Sequence, residues 1–179
     1  MGHEASDFLR AEHRQVENHL DHLLDALKHL SPERVGDVSR SSREIHRLVS
    51  AHMEVEEQVF YPALRSMAED LIETLLKQHD QIRESDRYLE ELLSGFPELP
   101  TARDTEELYR LGIEFHDAVQ VHIVDEEEQL LKWVDQHLSG EQQRSLRAAM
   151  QRGSPEREPK PGSEPMRPAG PASGSVPGK

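Results

Sequence analysis

Two stretches of this chain put histidine and glutamate on the face of a helix that should carry leucine. Glu44-Ile45-His46 leads to His52 and then to Glu56-Glu57. Glu114-Phe115-His116 leads, at the same spacing, to His122 and then to Glu126-Glu127. In each copy the second His and the first Glu stand four residues apart, one turn along one side of a helix. Imidazole and carboxylate are donor groups for first-row transition ions. Two further histidines, His13 and His79, occupy the apolar stripes of two other segments. Those segments also resemble each other, His13-Arg14-Gln15-Val16 against His79-Asp80-Gln81-Ile82. The candidate metal-ligating set is therefore His13, His52, Glu56, His79, His122 and Glu126.

Four imidazoles and two carboxylates in one core are costly unless something satisfies them. They could pair among themselves as His–Glu bridges, or they could bind metal. Four nitrogen and two oxygen donors suit two first-row ions, with imidazole accepting Fe, Zn, Cu or Ni and carboxylate able to bridge two cations. The spacing differs from the Glu-x-x-His pattern of ferritin-like carboxylate proteins. A single zinc would use only three or four of the donors.

The elements that must position these groups read as helices throughout. Leu9, Val16, Leu20, Leu23, Leu24 and Leu27 give helix 1 its stripe, and Ile45, Leu48, Val49, Val55, Val59 and Phe60 give helix 2 its own. Ser31-Pro32-Glu33 reads as a cap with proline at the first helical position. Pro62 marks an end or a kink, and Ser66-Met67-Ala68-Glu69 has the form of a capping box opening helix 3. Ile72, Leu75, Ile82, Leu89 and Leu93 mark helix 3, and Gly95 its stop. Residues 96–100 form a loop, Thr101 or Asp104 caps helix 4, and Leu111, Phe115, Val119, Leu130 and Trp133 line that helix. Ser139-Gly140 is expected to end it, before a short helix over Glu141–Met150. Nothing alternates with period two, so the expected fold is all-α, an up-down-up-down four-helix bundle over residues 1–150. Residues 151–179 are mostly Pro, Gly, Ser and charge, and are expected to form a disordered tail.

Counting along the rods tests whether the donors share a depth. His13 lies 20 residues before Glu33 and His52 lies 19 after it. Both are therefore about 30 Å from that end of the bundle at ~1.5 Å per residue. His52 and His79 lie 13 and 14 residues either side of Arg65, and the looser count about Glu98 puts His79 and His122 at 19 and 24. The six donors fall in one layer or two adjacent turns.

Composition narrows the rest. A formal charge of −14 opposes a nucleic-acid or anionic-membrane partner. The absence of cysteine excludes disulfides, thiolate ligands and a catalytic thiol. The polar start Met1-Gly2-His3-Glu4 lacks the apolar stretch of a signal peptide, and no apolar run nears the ~20 residues that span a bilayer. The expected setting is the cytoplasm, and the expected state a monomer or weak homo-oligomer.

The pattern resembles the hemerythrin-like family, the HHE cation-binding domain. The matching residues are His13; His52-Met53-Glu54-Val55-Glu56-Glu57 running into Val59-Phe60-Tyr61-Pro62; His79; and His122-Ile123-Val124-Asp125-Glu126-Glu127. The resemblance covers about residues 5–138. It implies a non-haem diiron site, two oxo- or hydroxo-bridged iron ions, that binds O2 or related small oxidants such as H2O2 or NO. It assigns His13 and His52 to one iron, His79 and His122 to the other, and Glu56 and Glu126 to the bridge. One departure stands out: oxygen-carrying members have a second His one turn after the first in helix 3, where this chain has Arg83. Glu17, one turn after His13, is a weak replacement. An open position favours redox turnover over reversible carriage.

Around the set, Glu57 and Glu127 lie some 100° off the stripe and read as solvated charge. His46 and His116 read as structural or as supporting a ligand from behind, and His19, His22, His29 and His137 as surface residues. Arg83 either lines a pocket mouth or is exposed. Leu75, Ile82, Phe115 and Val119 are core and could also wall an oxidant pocket. The functional expectation is oxidative or nitrosative stress protection at a diiron centre, with catalase-like or other redox turnover as its enzymatic form. The alternatives are an oxygen, redox or iron sensor, an iron-binding protein without turnover, and a plain bundle whose buried His and Glu pair internally.

Overall fold

Every apolar stripe becomes a helix in the computed structural model, which describes residues 3–31, 34–96 and 101–153. Helix α1 spans Glu4–Lys28 and α2 spans Val35–Val55. The α2 rod continues through a π-helical turn, Glu56–Phe60, into Tyr61–Leu64. Helix α3 spans Glu69–Ser94. Helix α4 spans Ala102–Asp125 and continues through a second π-helical stretch, Glu126–Leu131, into Lys132–His137. A fifth helix, α5, spans Gly140–Gly153. No strand occurs among the described residues, and none of their helices is long and apolar enough to cross a membrane.

The rods close a square: α1 packs on α2 and α4, and α3 on α4 and α2. Short links make sequential neighbours antiparallel, which is the up-down-up-down bundle. Helix α5 lies across one end, against α1 and the π-turn of α2.

Several local signals resolve differently from their sequence reading. Ser66 caps nothing: α3 starts after Ala68 with no side-chain cap, because the backbone N–H groups of Met67 and Ala68 donate to the Leu64 carbonyl and close the end of the α2 rod. Ser139-Gly140 opens α5 instead of stopping α4. The Gln142 N–H donates to Ser139 Oγ at 3.3 Å and the Ser139 N–H donates to Gln142 Oε1 at 2.8 Å, while extended backbone at Leu138 makes the break. At Thr101 the reciprocal box with Asp104 is present. Gly95 does end α3, but at φ −99°, a conformation open to any residue. Pro32 and Glu33 of the expected cap, residues 97–100 of the expected loop and residues 154–179 of the expected tail lie outside the described residues, while residues 151–153, also read as tail, close α5.

The apolar core is divided in two. One cluster gathers Leu20, Leu23, Ile45, Leu89, Leu108 and Phe115 with their neighbours. The other gathers Leu9, Phe60, Tyr61, Leu75, Leu130 and Val134, with Leu146 and Met150 of α5 over it. Along α1, His13 stands between Leu9 of the second cluster and Val16 of the first; along α3, His79 stands between Leu75 and Ile82. A polar layer separates the two halves, and the halves hold it in place. Truncating one of these buried leucines to alanine costs about 2–5 kcal/mol.

Candidate metal centre

All six candidate residues lie in that layer. His13, Glu56, His79 and Glu126 are fully buried, and His52 and His122 nearly so. They form two groups that share one carboxylate. Donor atoms of His13, His52, Glu56 and Glu126 lie within 4.8 Å of one another, as do those of Glu56, His79 and His122. Glu56 joins the two: its Oε1 is 2.9 Å from His52 Nε2, and its Oε2 is 3.2 Å from His79 Nε2 and 3.8 Å from His122 Nε2. Glu126 Oε2 is 3.1 Å from His13 Nε2. The imidazoles lie in two pairs, with ring centroids 4.8 Å apart for His13 and His52 and 4.5 Å for His79 and His122. Glu17 belongs to neither group.

Each ring is oriented from behind. His13 Nδ1–H donates to Glu127 Oε1 at 2.9 Å, His52 Nδ1–H to Glu12 Oε2 at 3.1 Å and His79 Nδ1–H to Glu57 Oε1 at 2.7 Å. His122 Nδ1–H donates to Gln78 Oε1 at 3.4 Å, and the Gln78 amide donates in turn to Asp125 Oδ2 at 2.6 Å. With each Nδ1 held outward, the Nε2 atom of every ring faces the interior. This is how metal-ligating histidines are commonly held. Glu57 and Glu127 are thus partners of the rings, not solvated charge. They stand off the apolar stripe, and in a bundle that direction is the seam against the next rod. Arg83 is half-exposed and donates to the same Glu57 oxygen at 2.5 Å.

The π-helical turns start at Glu56 and at Glu126. Each inserts one residue into the hydrogen-bond ladder where the carboxylate must face inward. One residue that the sequence reading passed over sits beside the second group. The Tyr61 ring is buried and stacks on His79 with centroids 5.6 Å apart, and its hydroxyl lies 3.4 Å from His79 Nε2. Burial first, then the Glu126 and Glu56 charges, push its phenol well above the ordinary tyrosine value. Its place between Glu56 and Pro62 in the Phe-Tyr-Pro stretch was the available signal.

Without a cation the layer is poorly satisfied. His13 Nε2, His52 Nε2 and both oxygens of Glu56 and of Glu126 are buried with no hydrogen-bond partner of acceptable geometry. The charges adjust to one another instead. Burial opposes a charge on His52, but Glu56 and Glu12 outweigh it and hold the imidazole well above its usual range. Burial likewise opposes the Glu56 carboxylate, but His52, His122 and His79 hold it well below the ordinary value. Orphaned inward atoms, rings held from behind and two nitrogen-oxygen groups sharing a carboxylate fit a pair of first-row cations. Such ions would give every orphaned atom a partner.

His46 is exposed but donates from Nδ1 to Asp86, away from the layer. His116 is half-buried and donates to Asp117 at 3.0 Å. His22, His29 and His137 are exposed and His19 is half-buried.

No curated protein matches the chain. A family model does, over residues 4–144, an interval that contains all six inward donors and all four backing side chains. The chain belongs to the family that model describes, the hemerythrin HHE cation binding domain.

Proposed function

We propose that this protein holds two iron ions in the polar layer and binds or reacts with a small oxidant, O2, H2O2 or NO, in a protective role. His13, His52, Glu56 and Glu126 would hold one ion, and His79 and His122, with Glu56 shared, the other. The observation that carries the reading is the convergence of buried donor atoms from four rods on one shared carboxylate, those of His13, His52, Glu56 and Glu126 without a hydrogen-bond partner of acceptable geometry. Bound iron supplies one-electron redox capacity and Lewis acidity toward a small oxygen or nitrogen ligand.

The chain's own groups define the rest. Glu127, Glu12, Glu57 and Gln78 hold the four rings by their outer nitrogens. The two apolar clusters exclude water from either side of the layer. Arg83 stands where oxygen carriers have a further histidine and is tied outward to Glu57, so the second group keeps fewer protein donors. The Tyr61 hydroxyl lies beside that group, 3.4 Å from His79 Nε2, where it can donate a hydrogen bond. An incomplete ligand set beside a proton donor suits turnover better than reversible carriage.

The test is protein made in iron-replete cells, with iron quantitation and an optical spectrum. Two irons per chain with near-ultraviolet oxo-bridge bands is the expected result. Protein that carries no transition metal and takes up no Fe(II) refutes the proposal. Gas evolution from added peroxide then separates turnover from iron binding alone.

A further inference from the structure

The two helical hairpins of the bundle carry the same pattern of inward His and Glu, and the proposed metal centre lies where they meet. In sequence, His13 answers His79, His52 answers His122, Glu56 answers Glu126 and Glu127 answers Glu57. The equivalence breaks behind the rings. The residue before His13 is Glu12, which accepts from His52; the residue before His79 is Gln78, which faces His122. A carboxylate in one half is thus an amide in the other, at 3.1 Å and 3.4 Å respectively. The remaining pair also differs. Glu127 Oε1 is 2.9 Å from His13 Nδ1 and feels Arg10 and Arg14 only as distant charges. Glu57 Oε1 accepts from His79 and also from the Arg83 guanidinium, 2.5 Å away.

A carboxylate behind an imidazole makes it a stronger donor, and an amide or an Arg-shared carboxylate does so less. The half with His13 and His52 therefore has two fully carboxylate-backed rings. It also has two carboxylates among its inward donors, Glu56 and Glu126, against Glu56 alone in the other half. Asp125 reaches the second half only through the Gln78 amide. The neutral phenol of Tyr61 adds no charge there.

We infer that Glu12 and Gln78 make the two cation sites unequal: the His13/His52/Glu126 site fills first and holds its ion tightly, and the His79/His122 site binds the second ion weakly and exchangeably. The inference rests on the proposed dinuclear site, and concerns positioning residues that touch no ion themselves. One half of a sequence-duplicated centre becomes a permanent anchor, the other an exchangeable position.

The experiment is anaerobic titration of chelated full-length protein with Co(II), followed by visible absorption and calorimetry. The native chain is expected to bind in two steps, with dissociation constants separated by roughly 10–100-fold, the effect of one outer partner. Gln78→Glu should tighten the second step by about that factor, and Glu12→Gln should weaken the first by about that factor and merge the steps. A helix loss is excluded by circular dichroism of each variant. As an independent check, His79→Ala should keep one tight equivalent and His13→Ala should not. Two equal steps in the native chain, or a Gln78→Glu variant whose second step is unchanged or weaker, overturns the inference while leaving the dinuclear reading intact. A native chain that binds no Co(II) overturns both.

Discussion

Removing the metal should destabilise the fold, and the cost can be worked from the layer itself. Six inward atoms, His13 Nε2, His52 Nε2 and the four oxygens of Glu56 and Glu126, make no hydrogen bond of acceptable geometry without cations and rest on His–Glu charge pairing alone. An unsatisfied buried polar group costs about 1–3 kcal/mol, so leaving only two of them unmet after relaxation costs about 2–6 kcal/mol. Linkage gives a similar figure, since a cation at a thousand times its dissociation constant stabilises by about 4 kcal/mol. At roughly 2–4 °C per kcal/mol for a domain of this size, chelation should lower Tm by roughly 8–16 °C. Calorimetry of metal-loaded and chelated protein at one pH measures it. A pH series adds a check on sign. In the chelated form His13, His52 and His79 have raised pKa values, so their contribution is complete below the ordinary value of 6.5 and is lost as pH rises through the folded values. Glu56, with its lowered pKa, contributes above the ordinary 4.5 and loses that as pH falls through its folded value. The chelated protein should therefore lose stability on going from weakly acidic to alkaline pH. The loaded protein should lose it in the other direction, as protonated imidazoles release the ions. Coincident melting of verified loaded and chelated samples would place the cations outside the core and refute the reasoning.

Other outcomes follow from the same contacts. Glu57→Gln and Glu127→Gln should each weaken metal binding by about 10–100-fold in competition with a calibrated chelator, because each removes the carboxylate behind a ring; an unchanged affinity returns both residues to solvated charge. Tyr61→Phe keeps the ring that stacks on His79 and loses only the hydroxyl. It should leave the fold and iron content intact and slow reaction with peroxide or O2 by on the order of 10²-fold in stopped-flow traces; a wild-type rate rules out a role for its proton. Phe115→Ala opens a fully buried position in the cluster of Leu20, Leu23 and Ile45, and should cost about 3–5 kcal/mol in denaturant unfolding.

The six buried polar residues of the layer were legible in the chain because a bundle core admits few explanations for a polar side chain at stripe spacing. Depth counting then placed all four histidines in one layer or two adjacent turns, because helical rise is nearly constant over rods of this length. Two things escaped that reasoning. A helical wheel assumes a uniform 100° per residue, but the rods widen into π turns at Glu56 and Glu126. A trace of this is in the pattern: the inward residues run His52, Glu56, Phe60 and His122, Glu126, Leu130, successive steps of four where a straight α-helix alternates three and four. A stripe that advances by fours drifts off its face unless the helix is underwound, and the π turn supplies the underwinding. The wheel also treats everything off the stripe as facing water. In a square of four rods the flanking direction is instead the seam against a neighbour, so Glu57 reaches His79 across α2 and α3, and Glu127 reaches His13 across α4 and α1. An imidazole needs support on the side opposite its ligand atom, and a residue beside the inward glutamate, turned toward the seam, is in place to give it. The doubled glutamate of each motif therefore has one member for the interior and one for the ring of the adjacent rod. That division of labour follows from bundle geometry, and it is the half of the motif that periodicity alone misassigns.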